Sequence, residues 1–454
     1  MHRALLPPGL LLALLVPRAA SAEEPSERTK HLAALGRLWG QVRFFHPALA
    51  YRNIDWDGAV IAAIPRVAAA RNRQELLPVA RELAAQLRDP LTRVPEPRTP
   101  GAPSAHDPQP RWRVEKDALV VELTNHADLQ QALMTQRDPG ALVAAISQHA
   151  RVVFDLRERV RSAQPGMAAA LVDWIGPRIT PVAVPLPVDR MREHRGYPSP
   201  ESSGGYTSVF RLEAPPVLPA GKPRPDARWA FVVESHQPLP ALALGLEHAG
   251  VAAIVVEGSA ENLDTSLTRT QALGFGVEVE YRLGELVYPD GGAGPRVTRE
   301  VTPRHGKDVA MEAALRWLRG KDRAHREAPR PLPPPTRALD DSAAAGGPEF
   351  PDAAHRIFAA FRLWNVLQHF FPYKRYADRD WSDALERHLG AFEAARDARE
   401  YARAVARMAA ELDDGHIGVS GPGWRALVGS AVAPFAARMI EGKAVVVMPD
   451  PAAA

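Results

Sequence analysis

Residues 37–94 recur at 362–419. Laying Arg37-Leu38-Trp39 over Arg362-Leu363-Trp364 at a constant offset of 325 brings 18 of 58 ungapped positions into identity. Phe45 falls on Phe370, Pro47 on Pro372, Tyr51 on Tyr376, Asp55-Trp56 on Asp380-Trp381, Glu75 on Glu400 and Asp89 on Asp414. Tryptophan is rare in the chain, so two matched Trp pairs in one ungapped block are not a coincidence of composition. The chain must build one helical unit twice and place something different between the copies.

Each copy is expected to form three helices. Ile357, Phe361, Trp364, Leu367 and Phe371 follow one another at steps of three or four and gather on one helix face. Pro47 and Pro372 stop that helix, because proline has no amide hydrogen and crowds the preceding turn. Asp55 and Asp380 stand where a side chain caps the next helix by accepting from its free amides. A capping box opens the third helix in both copies, Asn72-Arg73-Gln74-Glu75 and Asp397-Ala398-Arg399-Glu400. The matched aromatic residues read as core.

Between the copies the periodicity changes. Trp112–Glu115 and Ala118–Leu123 flank Lys116-Asp117 as a hairpin, and apolar runs at Arg151–Asp155, Trp229–Glu234 and Val251–Val256 read as strands. Leu239–Ala249, introduced by Pro238 and Pro240, is a short helix between the last two, since proline suits a first turn. Strand, helix, strand at this spacing argues a largely parallel sheet with helical cover. The expected fold is α/β plus α: two three-helix domains flanking an α/β core, with the start of a β segment at the C-terminus. The expected boundaries are 1–22 signal peptide, 27–98 first helical copy, 110–320 α/β domain, 321–350 Pro/Ala/Gly linker, 351–420 second helical copy and 421–454 a further β unit that begins but does not finish.

His2 and Arg3 precede an apolar run, Leu5 to Val16, and Ala20-Ser21-Ala22 leads into Glu23-Glu24. That is the layout of a secretory signal cleaved after Ala22; the run is shorter than the about 20 apolar residues a bilayer span needs. Cleavage removes Arg3 and Arg18 and no acid, lowering a formal charge of +3 by two, so nucleic acid is not an implied partner. The chain has no cysteine, which excludes disulfides, a thiol nucleophile and thiolate metal sites. No pattern implies a cofactor, and no histidine–acid cluster has metal-ligand spacing.

Leu38-Trp39, Phe44-Phe45-His46-Pro47 and Ile54-Asp55-Trp56, with Leu363-Trp364, Phe370-Phe371-Pro372-Tyr373 and Asp380-Trp381, resemble the helical domain that precedes the catalytic core of tail-specific (carboxyl-terminal processing) serine peptidases. The ending Asp413-Asp414-Gly415-His416-Ile417-Gly418-Val419 is similar to the tricorn-like branch. The middle segment resembles a ClpP/crotonase-like core at Val152–Arg157, Ala241–Leu244, Leu273–Val279 and Gly306-Lys307-Asp308. The resemblance implies that His416 is the general base of a Ser–His set whose serine lies in a later core. It also implies a polypeptide substrate and a PDZ-like domain beginning with Phe435–Val447.

The departures from that pattern all fall in the first unit. Glu158, Arg159 and Val160 stand where the family has a glycine-rich turn able to form an oxyanion hole, and Gln237-Pro238-Leu239-Pro240 where it places its serine. Leu91 occupies the position that is His416 in the second copy. Acyl transfer needs a nucleophile, a base within reach and oxyanion donors, so the first unit reads as a degenerate core. Because the chain reaches Ala454 before a second core, it is expected to be a portion of a longer tandem peptidase; the alternative is a noncatalytic envelope scaffold that binds protein. A third reading uses Ser235 with His236, but neighbours on a strand point to opposite faces. His46 is matched by Phe371 and reads as packing. Asp290–Gly294 reads as a turn, since no helix follows it as a phosphate cradle requires.

Overall fold

The computed structural model describes residues 25–96, 111–123, 139–157, 166–196, 206–263, 267–321, 330–334, 348–429, 435–441 and 443–449. The expected signal segment 1–22, Glu158, Arg159 and Val160, most of the expected linker and residues 450–454 lie outside them.

The first copy forms α1 (Glu27–Phe45), α2 (Trp56–Ala69) and α3 (Arg73–Gln86). Helix α1 gives way to extended backbone at His46, one residue before Pro47. Asp55 accepts from the Gly58 amide at 2.9 Å, and Asn72 from the Glu75 amide at 3.0 Å. The expected capping box closes one residue early, because the Glu75 carboxylate takes the Arg71 amide at 2.9 Å.

The middle of the chain runs through β1 (Arg111–Glu115), β2 (Ala118–Glu122), α4 (Gly140–Gln148), β3 (Arg151–Asp155), α5 (Met167–Ile179), β4 (Val188–Gly196), β5 (Tyr206–Arg211), β6 (Arg228–Glu234), α6 (Ala241–His248) and β7 (Ala252–Glu257). Then come β8 (Thr268–Gly274), β9 (Val277–Arg282), β10 (Gly284–Val287), β11 (Arg299–Val301) and α7 (Val309–Leu318). The main sheet has the order β1-β2-β3-β6-β7-β11, parallel except for the β1–β2 hairpin. The expected β–α–β unit is β6-α6-β7. Its strands are apolar on both faces, as buried parallel strands are. Val152, Phe154, Phe231, Val233, Ile254 and Val256 face α4, α5 and α6, while Val153, Ala230, Val232, Ala253 and Val255 face α7. Phe154 stacks on Phe231 with ring centroids 5.0 Å apart. A second, antiparallel sheet joins β10, β4 and β5 to the short pieces 292–293 and 330–331. Part of the expected linker is thus strand, and Arg190 also donates to the Pro333 carbonyl at 3.2 Å.

The second copy forms α8 (Ala353–Phe370), α9 (Ala384–Ala394) and α10 (Ala398–Ala410), with a 3-10 turn at Trp381–Asp383 ahead of α9. After it come α11 (Pro422–Val428) and a hairpin of β12 (Phe435–Ile440) and β13 (Lys443–Pro449). Both copies share one core. Leu35, Leu38, Trp39, Trp56 and Ile64 are buried with Phe361, Trp364, Trp381, Leu385 and Phe392. In each copy the second tryptophan donates its indole N–H to the carbonyl of the first: Trp56 to Trp39 at 3.1 Å, Trp381 to Trp364 at 3.3 Å.

One element crosses the expected boundaries. The β8–β9 hairpin belongs in sequence to the α/β stretch, yet Leu273, Val277, Val279 and Tyr281 are buried in the helical core. The cause is its period of two: Glu278, Glu280 and Arg282 alternate with the buried residues and face away from them. The hairpin fastens the first helical copy to the rest of the molecule.

Candidate functional site

His416 lies in the turn that follows α10. The chain reverses there through Asp413 at φ +50°, a left-handed conformation that aspartate tolerates better than most residues. Asp414 folds back so that one carboxylate oxygen accepts from the His416 amide at 2.9 Å and lies 2.8 Å from Nδ1 of the imidazole. These bonds, first from the backbone and then from the ring, hold the Asp414 carboxyl below its ordinary value. A carboxylate on Nδ1 fixes the tautomer with its proton there, leaving Nε2 as the basic nitrogen. The His416 side chain is 97% exposed. Among the described residues no serine or threonine hydroxyl bonds to it. The pair is an oriented base facing open solvent, and it can take a proton from a group brought to it.

Position 91 in the first copy has the opposite character: Leu91 is 5% exposed. The matched aspartate, Asp89, bonds to His46 instead, which is fully buried. His46 Nδ1 accepts from the Ala48 amide at 3.2 Å, so its proton sits on Nε2, which lies 3.2 Å from Asp89 and 2.9 Å from Thr92. Burial favours the neutral ring and lowers the His46 pKa. Burial would raise the Asp89 carboxyl, but His46 and Arg282 outweigh it and bring it down to about 2. Hydroxyl, imidazole and carboxylate meet here, yet no substrate can reach them. The reading of His46 as packing stands, with a polar network that sequence did not foresee.

At the carboxyl ends of the main-sheet strands, where open α/β sheets usually bind ligands, an ion cluster fills the space. Arg157 is 6% exposed and donates to Asp155, to Glu257 and to both oxygens of Asp308 at 2.7–2.8 Å. Burial opposes the charge, but Asp155 and Asp308 more than offset it and hold the guanidinium more firmly protonated than a free one. The aspartate–arginine pair was visible in sequence; its convergence with Glu257 and Asp308 was not.

The expected nucleophile position is also closed. Asp173 of α5 accepts from the Ala241 and Leu242 amides at 3.1 and 3.0 Å, occupying the start of α6. Gln237 is 7% exposed and its side chain accepts the Glu234 amide at 2.8 Å. Ser235 donates to the Ser259 carbonyl at 3.0 Å, while His236, at φ +65°, turns its Nδ1 toward Arg93. The structure does not bring Ser235 and His236 together. Asp290 closes a turn by accepting the Gly292 amide at 3.0 Å. Among the described residues there is no metal-ligating group of three or more, and no helix is long and apolar enough to cross a membrane.

No protein-family model and no curated protein matches the chain. Among solved structures it is similar to a lipoprotein from Streptococcus agalactiae at 11% identity and a TM-score of 0.34, covering 71% of this chain and 100% of that one. A candidate peptidase from Parabacteroides merdae is similar at 14% identity and a TM-score of 0.38, covering 64% and 97%. The photosystem II D1 C-terminal processing protease is similar at 14% identity and a TM-score of 0.34, covering 66% and 98%. Peptidases are thus among its neighbours, at a level of similarity that fixes no shared chemistry.

Proposed function

We propose that the chain is an exported portion of a serine peptidase of the tail-specific, tricorn-like kind, in which the second helical copy carries the general base and the first unit is structural. The observation that carries this reading is the His416–Asp414 pair, with the ring oriented through Nδ1 and Nε2 presented to solvent. In such a site Nε2 takes the proton of a serine hydroxyl as it attacks a peptide carbonyl, and later returns it to the leaving amine. In this reading the first unit supplies neither the serine nor the oxyanion donors, which another core provides. The substrate is an extended polypeptide, bound as an added strand as is usual for such folds. The PDZ-like unit beginning at β12 belongs to the same reading, as does cleavage of the leader near Ala22.

A second reading is a noncatalytic envelope scaffold that binds protein. It is favoured by the Arg157 cluster and by Asp173 at the start of α6, which close the first core to a nucleophile and an oxyanion.

The test uses the 454-residue chain beside the same chain extended by the coding sequence that continues its reading frame. The short chain is expected to resist a serine-reactive fluorophosphonate. The extended chain is expected to label and to hydrolyse an unstructured peptide, with His416→Ala lowering kcat by about 1,000-fold or more. Hydrolysis that survives His416→Ala, or labelling of the short chain that disappears in Ser235→Ala, would overturn the proposal. A reading frame that stops at Ala454 favours the scaffold.

A further inference from the structure

We infer that the open face of the second helical copy, formed by Pro372–Tyr376 and Asp414–Gly418, docks a second α/β module whose antiparallel ribbon offers a carboxylate to Tyr376 and a guanidinium to Asp414. The inference rests on geometry inside this chain and shares one group with the reading above, since the Asp414 carboxylate it uses is also the one that orients His416.

The first copy shows what such a face holds. Its loop Pro47–Ala50 is buried. Tyr51 donates its hydroxyl to Glu285 of β10 at 2.7 Å. Asp89 pairs with Arg282, at the end of β9, at 2.8 Å. Arg93 pairs with Glu280 at 2.8 Å, and Thr92 Oγ1 accepts the Arg282 amide at 3.4 Å. The helical copy and the segment Leu267–Val287 thus meet through one tyrosine–carboxylate contact, two ion pairs, one backbone amide on Thr92 and a closed loop.

At an offset of 325 the second copy keeps two of these four contact residues, Tyr51 as Tyr376 and Asp89 as Asp414, and has Ile417 and Gly418 in place of Thr92 and Arg93. It leaves the tyrosine uncovered, while the Asp414 side chain is 21% exposed and bonds His416 through Oδ1. Tyr376 is 68% exposed and Tyr373, which stands where Ala48 is buried, is 61% exposed. The rings of Phe371, Tyr373 and Tyr376 follow one another at centroid separations of 6.0 and 6.4 Å, an aromatic row that starts on the helical core at Phe371 and runs out to two exposed tyrosines. Aromatic rows with a polar tip are the surface type that interfaces bury. The far end of the second copy is covered: Gly423 of α11 packs on the Ala398 carbonyl, at the position where Arg73 of the first copy reaches Gly276 of the β8–β9 turn.

Charge narrows the occupant. Lys374 and Arg375 replace Leu49 and Ala50, so the second face adds two cations around the retained tyrosine and suits a ribbon richer in carboxylate than the first. A second copy of this chain does not fit, because its own ribbon is already engaged through Glu285 and Arg282.

The probe is a fluorescently labelled, head-to-tail cyclised peptide with the sequence of Leu267–Val287, which carries Arg282 and Glu285; it is titrated against the 454-residue chain. Saturable binding is expected, weakened about tenfold or more by Tyr376→Ala and by Asp414→Ala. Tyr376 is exposed and Asp414 partly so, and unchanged circular dichroism confirms that the variants fold. The proposal fails if the intact chain does not bind the peptide, or if both variants bind it as tightly. It also fails if the chain forms a dimer that Tyr376→Ala dissociates, which would make a second copy the occupant. Peptide binding and peptide hydrolysis are read separately, so either proposal can fail alone.

Discussion

Gly36 packs against the ring of Phe361, the residue that stands at its own position in the second helical copy; a β-carbon on Gly36 would lie 2.5 Å from the ring edge. One turn along, Gly40 meets its counterpart Asn365 in the same way, and Asn365 donates to the Gly36 carbonyl at 2.8 Å. Equivalent residues that touch across two helices mark the line where the copies cross, and the absent side chains set how closely α1 and α8 approach. Gly36→Ala is therefore expected to destabilise the chain by about 1–2 kcal/mol. Overpacking costs ~1–3 kcal/mol and outweighs the up to ~1 kcal/mol gained from helix propensity. Urea unfolding of Gly36→Ala alone and with Phe361→Leu checks it: the second change makes room, so the alanine should then cost nothing.

Arg157 is the most exacting ion centre in the α/β core. Asp155 is fully buried, and Glu257 and Asp308 reach the same guanidinium. Removing the cation strands buried negative charge, so Arg157→Met should cost ~3–5 kcal/mol. Arg157→Lys should recover only part of that, because a single ammonium cannot serve three carboxylates in fixed directions. Denaturant midpoints of the three proteins decide the matter, and equal midpoints for lysine and arginine would refute it.

What sequence revealed and what it hid divide by range. The caps at Asp55, Asn72 and Asp397 depend on residues three positions away and were legible, as was the β6-α6-β7 unit with its prolines and apolar runs. The Arg157 cluster was not, because Glu257 and Asp308 lie 100 and 151 residues downstream and nothing local marks them as its partners. The β8–β9 alternation announced a two-faced ribbon without saying that one face would enter the helical core. His416 and its aspartate stand two residues apart and are legible in sequence; only the fold gives the exposure of the ring. The Asp89–Asp414 match was visible, but full burial of one and partial exposure of the other is a tertiary fact.

Asp89 makes the first helical copy sensitive to acid. Its carboxyl is depressed to about 2 in the folded chain and returns to an ordinary value near 4 on unfolding. A depressed carboxyl stabilises the fold fully above about pH 4, and that contribution is lost as pH falls toward 2. The shift corresponds to roughly 2 kcal/mol. Asp89→Asn should unfold more easily at pH 7 and lose this part of the acid dependence. Stability measured by urea titration at pH 6, 4 and 2.5 tests it: a variant curve parallel to that of the unaltered chain would contradict it.

His194 and His369 control a milder acid range. They sit where β4 meets the ends of α1 and α8, packed among Phe44, Phe45 and Phe370. His194 donates through Nε2 to the Phe44 carbonyl and bonds Ser208 through Nδ1 at 2.9 Å. Burial, aided by Arg192 at His194 and by Lys374 at His369, pushes both rings down to about 4. Unfolded histidine takes its proton near pH 6.5. Between about 6.5 and 4 the unfolded chain therefore binds protons that the folded chain refuses, and stability falls as pH falls through that window. His369→Phe installs the residue the first copy carries at this position, Phe44. It should leave Tm nearly unchanged at pH 7.5 and raise it above that of the unaltered chain at pH 4.5. Equal losses of Tm in both proteins across that interval would show that the junction does not set the acid response.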